Sequence, residues 1–225
     1  MIKIKFLSFS SSVSWDKLEK SLLSLRYTEN ESQGINVSSI DDTELKATFY
    51  ERITYTEVIN HPIDGISESI GTTYFASDFV INREKKLIYF VNSTKRINSL
   101  LTFMSLKDPN FYASELIINI LNFPSIGSKL LDNFRVKKLT FPPFELSEDS
   151  RAFFSIASKS DVFNDLKTIV LPLPKNPTRL AFEGILYGKR MSGEIVSSGL
   201  CSITNQHYEV FIEALVNSSN IFEYQ

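Results

Sequence analysis

The chain has 225 residues, of which 43% are hydrophobic and 22% are charged, and its formal net charge is -2. This length is enough to bury a large apolar core, and the composition is that of a folded globular protein, which excludes a disordered chain. The pI of about 5.8 excludes the global electrostatic attraction that strongly basic nucleic-acid binders use. Only local basic patches are left as candidates for phosphate binding.

A single cysteine, Cys201, excludes an internal disulfide and favours a reducing compartment. There is no CxxC pair or Cys/His cluster for a structural zinc, and no apolar run approaches the roughly 20 residues that cross a bilayer. The alternating start of the chain indicates a strand instead of an export signal. We therefore expect a cytoplasmic protein without a metal, a cofactor or a membrane partner.

The first half of the sequence alternates between strand-like and helix-like periodicity. The predicted elements are a strand over residues 2–9, a helix over 13–26, a polar loop with one short strand over 28–42, a long strand over 43–59, and a hairpin of 74–81 and 87–91 around a polar turn. Ser93 or Thr94 is then placed to cap a helix that ends before Pro109.

The second half follows a connector that the apolar spacing predicts to be helical. The predicted elements are connector helices over residues 112–123 and 128–134, a strand over 136–144, a helix over 148–157, strands over 166–173, 180–187 and 194–203, and a final helix after Thr204. The turn between the second and third of these strands is expected over residues 188–193.

The two halves share this order of elements, which predicts an α+β fold of two tandem β-α-β-β-β-α-like units with antiparallel sheets. The units would span residues 1–108 and 135–225, joined by a helical connector over 109–134. The arrangement resembles the duplicated saddle of TATA-binding proteins in topology alone. No family motif accompanies it, so the resemblance implies nothing about function.

Two predicted hairpin tips are basic, and this is the sharpest signal for nucleic-acid binding. The cations are Arg83, Lys85 and Lys86 at the first tip, Lys95 and Arg96 at the following helix start, and Lys189 and Arg190 at the second tip. If the units are related by pseudo-symmetry, matching tips could straddle phosphates. Solvated lysines at ordinary hairpin tips are the alternative interpretation.

Two enzyme hypotheses are open. Glu44 and Lys46 share a strand face with Asp41 or Asp42 just upstream, a pattern that a metal-dependent nuclease uses and that an exposed strand start also shows. Another hypothesis pairs Cys201 with His207 as thiol and imidazole, although no residue to orient them is identifiable and a buried inert thiol is the alternative. His61 stands alone before Pro62, so we expect no catalytic residue.

Partner binding is the remaining class. The tail residues Ile221, Phe222 and Tyr224 follow a polar break and could dock into another subunit, or they could fold back on their own sheet. The connector is apolar on more than one helical face, which requires burial by the halves or by a partner. We therefore expect a non-catalytic subunit or adaptor that binds a protein or another copy of itself, with nucleic-acid binding and nuclease activity as alternatives.

Overall fold

The computed structural model describes residues 1–61, 65–92, 96–147, 149–166, 176–204, 206–218 and 220–223. The fold of this part of the chain is mixed α+β with mostly antiparallel sheet and five α-helices, which confirms the predicted class. The strands are β1 Ile2–Ser11, β2 Gln33–Ile40, β3 Glu44–His61, β4 Gly65–Asn82, β5 Leu87–Val91, β6 Phe111–Glu115, β7 Ile117–Ile118, β8 Asp132–Thr140, β9 Phe144–Ser147, β10 Ser150–Ala152, β11 Ser155–Ala157, β12 Arg179–Leu186, β13 Lys189–Val196, β14 Leu200–Ile203 and β15 Phe222–Glu223. The α-helices are α1 Trp15–Ser24, α2 Ile97–Lys107, α3 Phe123–Leu130, α4 Val162–Leu166 and α5 Tyr208–Val216, and a 3-10 turn covers Ile120–Asn122.

The chain forms two compact units. Unit 1 contains Met1–Ser8 and Ser114–Gln225, and unit 2 contains Phe9–Ala113. The predicted units, residues 1–108 and 135–225, are the two copies of a proposed repeat. The compactness of the chain does not test a repeat, so this division stays a prediction. The tandem duplication likewise stays a prediction.

Unit 1 is a sheet covered on one face by helices. Its strand order is β11-β8-β12-β13-β14-β1, where the first residues of β1 pair with β14. Strand β12 alternates buried and partly exposed residues along its length, which is the pattern of a sheet with one buried face. Phe182 on that buried face stacks on Phe211 of α5 and contacts Phe123 of α3, with ring centroids 5.5 Å and 4.9 Å away. These rings form the centre of the core of unit 1.

Unit 2 is an antiparallel sheet in the order β5-β4-β3-β2, with its core on one face. Leu100 and Met104 of α2 are fully buried, and Phe103 lies 5.5 Å from Phe49 of β3. The long strand, the β4–β5 hairpin and the helix ending before Pro109 are all confirmed, since their apolar residues recur at the correct period. The proposed caps Ser93 and Thr94 lie outside the described residues.

The predicted connector helix over residues 112–123 is wrong. This segment is extended in β6 and β7 and then forms the 3-10 turn, and only α3 is a regular helix. Ile117 and Ile118 pair with β15, and such β-branched residues fit a strand better than a helix. Pro124 lies in the first turn of α3, where proline costs no hydrogen bond, so it begins a helix instead of separating two.

The predicted helix over residues 148–157 is also wrong. Strands β10 and β11 occupy most of this segment, and β11 pairs with β8. The two rings between these strands differ in environment: Phe153 is 82% exposed, while the ring of Phe154 lies 5.7 Å from that of Phe141. Of the residues 166–173 that were predicted to form a strand, the structure describes only Leu166, which is the last residue of α4. The other residues lie outside the described part of the chain.

The last hairpins differ from the prediction in their turns. The turn expected over residues 188–193 is only Tyr187 and Gly188, both at positive φ (51° and 74°), which is the tight turn that suits twisted strands. The single strand predicted over residues 194–203 is interrupted before β14. Thr204 does not cap the final helix, because its hydroxyl bonds to Ser192 and α5 begins after His207.

Candidate protein-binding arm

Strands β3 and β4 are each 18 residues long and pair with each other along their whole length. Their neighbours are much shorter, since β2 reaches β3 only as far as Glu51 and β5 reaches β4 only as far as Asp78. The outer ends, residues 52–61 and 65–74, therefore form a two-stranded ribbon, here called the arm. At about 3.4 Å per residue the arm is about 30 Å long.

One face of the arm carries four exposed apolar side chains among polar ones. In a strand pair, side chains of one parity share a face, and here the even-numbered residues of both strands do so. The exposed apolar side chains on the even-numbered face are Val58 (61%), Ile66 (74%), Ile70 (78%) and Tyr74 (63%). Exposed hydrophobic residues are ordinary when scattered, but a row of them on one strand face is typical of a binding surface.

The arm carries little charge. Among its described side chains between Ile53 and Thr73, only Glu57 and Glu68 are charged. Each of these carboxylates is exposed and is the sole charged side chain of its strand in that segment. An apolar partner that covers this surface would therefore have few charges to desolvate.

The base of the arm is held by a buried polar cluster around Glu51. The Oε1 atom of Glu51 accepts hydrogen bonds from Ser99 (2.6 Å) and Gln33 (2.9 Å), and its Oε2 atom lies 3.4 Å from the guanidinium of Arg96. Arg96 also lies over the ring of Phe75 at 4.0 Å. These contacts tie β3 and β4 to β2 and α2 just where the two-stranded ribbon begins.

The first basic tip is partly engaged within unit 2. Arg83 lies 6.0 Å from the centre of the Trp15 ring, and the backbone N–H of Lys85 donates to the Asn82 side chain. Lys86 is exposed and adopts a positive φ of 49° in the turn. Arg96 forms an ion pair with Glu51, which reduces the positive charge that it can offer to a phosphate. Lys95 lies outside the described residues.

The second basic tip belongs to unit 1. Lys189 and Arg190 are the first residues of β13 and are not in the turn itself. Both are exposed, but Arg190 donates to Glu183 at 2.9 Å, and Lys137 lies 3.7 Å from the same carboxylate. The hydrogen bond from Arg190 is the largest effect that lowers the pKa of Glu183. The two tips lie in separate units, and their action as a matched pair stays a prediction.

The residues of the nuclease hypothesis are already satisfied by one another. The Asp41 carboxylate accepts hydrogen bonds from the Thr43 hydroxyl, the Thr43 N–H and the Glu44 N–H at 2.7–2.8 Å, which lowers its pKa. Glu44 lies 3.7 Å from Lys46 and accepts from Asn82. Within the described residues no three His, Cys, Asp or Glu side chains come together as a metal site.

Cys201 and His207 do not form a catalytic pair in the structure. Cys201 is completely buried on β14, and burial raises the pKa of its thiol. His207 lies edge-on to Tyr187, with ring centroids 5.5 Å apart. A cavity of about 560 Å³ between α3 and α5 is lined without a carboxylate, an imidazole or a thiol among the described residues. Neither place favours nucleophilic catalysis.

The proposed docking tail folds back on unit 1. Ile221 is completely buried, Phe222 pairs with Ile118 through β15, and the Phe222 ring lies 5.4 Å from Phe6. These residues are therefore part of the core of unit 1 and are not free to enter a partner. Tyr224 lies outside the described residues.

The arm was missed because the alternation of residues 43–59 predicts a strand without telling where its neighbours end. One signal was present in the sequence. A strand of this length greatly exceeds the usual five or six residues, so part of it was bound to outrun a sheet of ordinary strands.

Comparison with known proteins assigns no family. The chain matches no protein-family model, and no curated protein matches its sequence. None of the helices in the described part of the chain combines the length and the apolar character needed to span a bilayer.

Proposed function

We propose that the protein is a non-catalytic cytoplasmic subunit or adaptor that acts through protein–protein contacts, and that the arm is its main binding surface. The observation that carries the proposal is the set of four exposed apolar side chains on the even-numbered face of the arm. A two-stranded ribbon is marginally stable in water by itself. A partner that covers its unpaired edges and apolar side chains would stabilise it. The low charge of the arm suits an apolar or strand-like protein partner better than a nucleic acid.

Nucleic-acid binding by the basic tips is the alternative. The exposed cations Lys86 and Lys189 support it, whereas the ion pair of Arg190 with Glu183 offsets part of the positive charge at the second tip. The nuclease is a further alternative, which requires a divalent metal and would lose its activity in the variant Glu44→Ala.

The test is purification of the tagged protein from its native cell, followed by mass spectrometry and a nucleic-acid stain. Three forms are compared: the unaltered chain, the arm variant Val58→Ser/Ile70→Ser, and the tip variant Arg83→Glu/Lys189→Glu. We expect partner proteins with the unaltered chain and the tip variant, and at least a tenfold loss with the arm variant. Equal circular dichroism and urea midpoints would show that the variants are folded.

Two results would overturn the proposal. Recovery of the same partners by the arm variant would remove the arm from the function. Salt-sensitive recovery of nucleic acid that only the tip variant loses would establish the alternative.

A further inference from the structure

The outer edge of β4 in the arm is an unprotected strand edge. No described strand pairs with β4 between Gly65 and Ser77 on the side away from β3. This stretch has no lysine, no proline and no irregularity in its register with β3, which are the usual means of blocking edge-to-edge association. By contrast, the edge strand β2 has a register shift near Val37, and the edge strand β11 is only three residues long.

The hydrogen-bonding groups on this edge can be assigned from the base of the arm. The Arg52 N–H donates to Ser32 on the side of β3 that faces away from β4. Arg52 is therefore not hydrogen-bonded to Tyr74, the residue opposite it. The alternation of an antiparallel pair then places the N–H and C=O groups of the even-numbered residues of β4, from 66 to 74, on its free edge.

We propose that two copies of the chain pair through this edge of β4, antiparallel, about a two-fold axis at Ile70. The inference rests on the proposed function, since it names a second copy as the protein that the arm binds. In this register Ile70 lies opposite Ile70 of the second copy, and Ile66 lies opposite Tyr74 of the second copy. Apolar side chains opposite each other across such a pair stabilise it, and a two-fold contact closes without growing into a fibre.

Charge disfavours the register in which the axis lies at Glu68. When the axis lies at Ile70, Glu68 faces Thr72 of the second copy, and the two Glu68 side chains are about 14 Å apart along the strands. When the axis lies at Glu68, the two carboxylates face each other directly, which is destabilising. Glu68 is the only charged side chain of β4 between Gly65 and Ser77, so no other like-charge contact arises on this strand.

The test is the mass of the purified protein by sedimentation velocity over a hundredfold range of concentration. We expect a dimer for the unaltered chain. Ile70→Lys places two ammonium groups opposite each other and should raise the dimer Kd at least tenfold, whereas the matched variant Thr72→Lys places an ammonium opposite Glu68 of the second copy and should keep or lower the Kd. Ile70 is 78% exposed, so its replacement should leave the urea midpoint of unit 2 unchanged.

A crosslink tests the register directly. Cys201 is buried, so Ile70→Cys supplies the only thiol on the described surface of the chain. Cα atoms opposite each other in a hydrogen-bonded antiparallel pair are about 5.5 Å apart, within the range of a disulfide. Mild oxidation should give a covalent dimer from Ile70→Cys and at least tenfold less from Ser67→Cys, which would face Thr73 of the second copy.

A monomer at every concentration, or a dimer that Ile70→Lys and Thr72→Lys leave equally stable, would overturn the inference. The proposed function fails differently. If the protein is monomeric but recovers partners through the arm, the function stands and the self-pairing is wrong; if it dimerises and the arm variant still recovers all partners, the self-pairing stands and the function is wrong.

Discussion

The ring of Tyr55 covers Gly71, the residue directly opposite it in the arm. A Cβ atom at position 71 would lie 2.5 Å from Cζ of Tyr55, so the aromatic ring occupies the space that a side chain on β4 would fill. An aromatic residue across from a strand glycine compensates for the missing side chain. The pair stabilises the arm on the face opposite its apolar row.

Replacing Tyr55 with Ala should loosen the arm without unfolding unit 2. A cross-strand pair of this kind contributes about 0.2–1 kcal/mol, so we expect amide hydrogen exchange to become up to about fivefold faster in the odd-numbered residues of 53–59 and 67–73, whose N–H groups face the partner strand. The urea midpoint should not change. Tyr55→Phe, which keeps the ring over Gly71, is the control and should leave these amides slower than Tyr55→Ala does; equal effects would show that the cover on Gly71 is unimportant.

Removal of the buried carboxylate at the base of the arm should destabilise unit 2. Glu51→Ala leaves the Ser99 and Gln33 donors without their acceptor and Arg96 without its ion pair, which should cost about 1–3 kcal/mol in the free energy of unfolding. Urea unfolding followed by circular dichroism measures the loss. Ser99→Ala removes only one donor and should cost less. A Glu51→Ala protein as stable as the unaltered chain would show that the cluster does not hold the arm.

The stability of unit 1 should fall in acid because of Glu183. Its pKa is below the ordinary 4.5, mainly through the hydrogen bond from Arg190 and opposed by partial burial. Because the unfolded chain binds the proton more readily, the contribution of this group is complete above the unfolded pKa and is lost as the pH falls through the lower folded pKa.

Urea midpoints measured between pH 6 and pH 3 test this dependence. Glu183→Gln and Arg190→Gln should each flatten the decrease, while Arg151→Gln, whose partner Glu145 is highly exposed, should not. An identical pH profile in all four proteins would contradict the assignment.

The thiol of Cys201 should react only when unit 1 opens. Complete burial raises its pKa, so the reactive thiolate is scarce and shielded from reagent. We expect a disulfide reagent to label the native protein at least a hundredfold more slowly than the urea-unfolded protein, at a rate set by opening of the core. An Ile70→Cys chain, with one exposed and one buried thiol, serves as the internal control. Rapid labelling of Cys201 in the native state would show that β14 is accessible.

The sequence predicted the elements whose periodicity is strong over many residues. The alternation of β3, the polar turn between β4 and β5, and the helical spacing of Leu100 and Met104 in α2 all had one consistent interpretation. The predicted helices over residues 112–123 and 148–157 are wrong, because short apolar runs fit either a helix or a strand. Pairing with β15 and β8, which are distant in sequence, made these segments extended.

The candidate site shows the same division. The sequence predicted exposed cations at Lys86 and Lys189, and the structure places both on the surface. The sequence could not show that Arg190 is paired with Glu183 or that Arg96 is paired with Glu51. Such pairs join residues from different elements, and no local spacing encodes them.

Composition and the local period of apolar residues are enough to predict the α+β class, the buried faces of the long elements and the lack of a familiar catalytic motif. Which part of the long β3–β4 hairpin is left uncovered depends instead on pairing with β2 and β5. Alternation is the same for a strand inside a sheet and for one that extends past it, so the point at which β3 and β4 lose their neighbours is set by the lengths of β2 and β5.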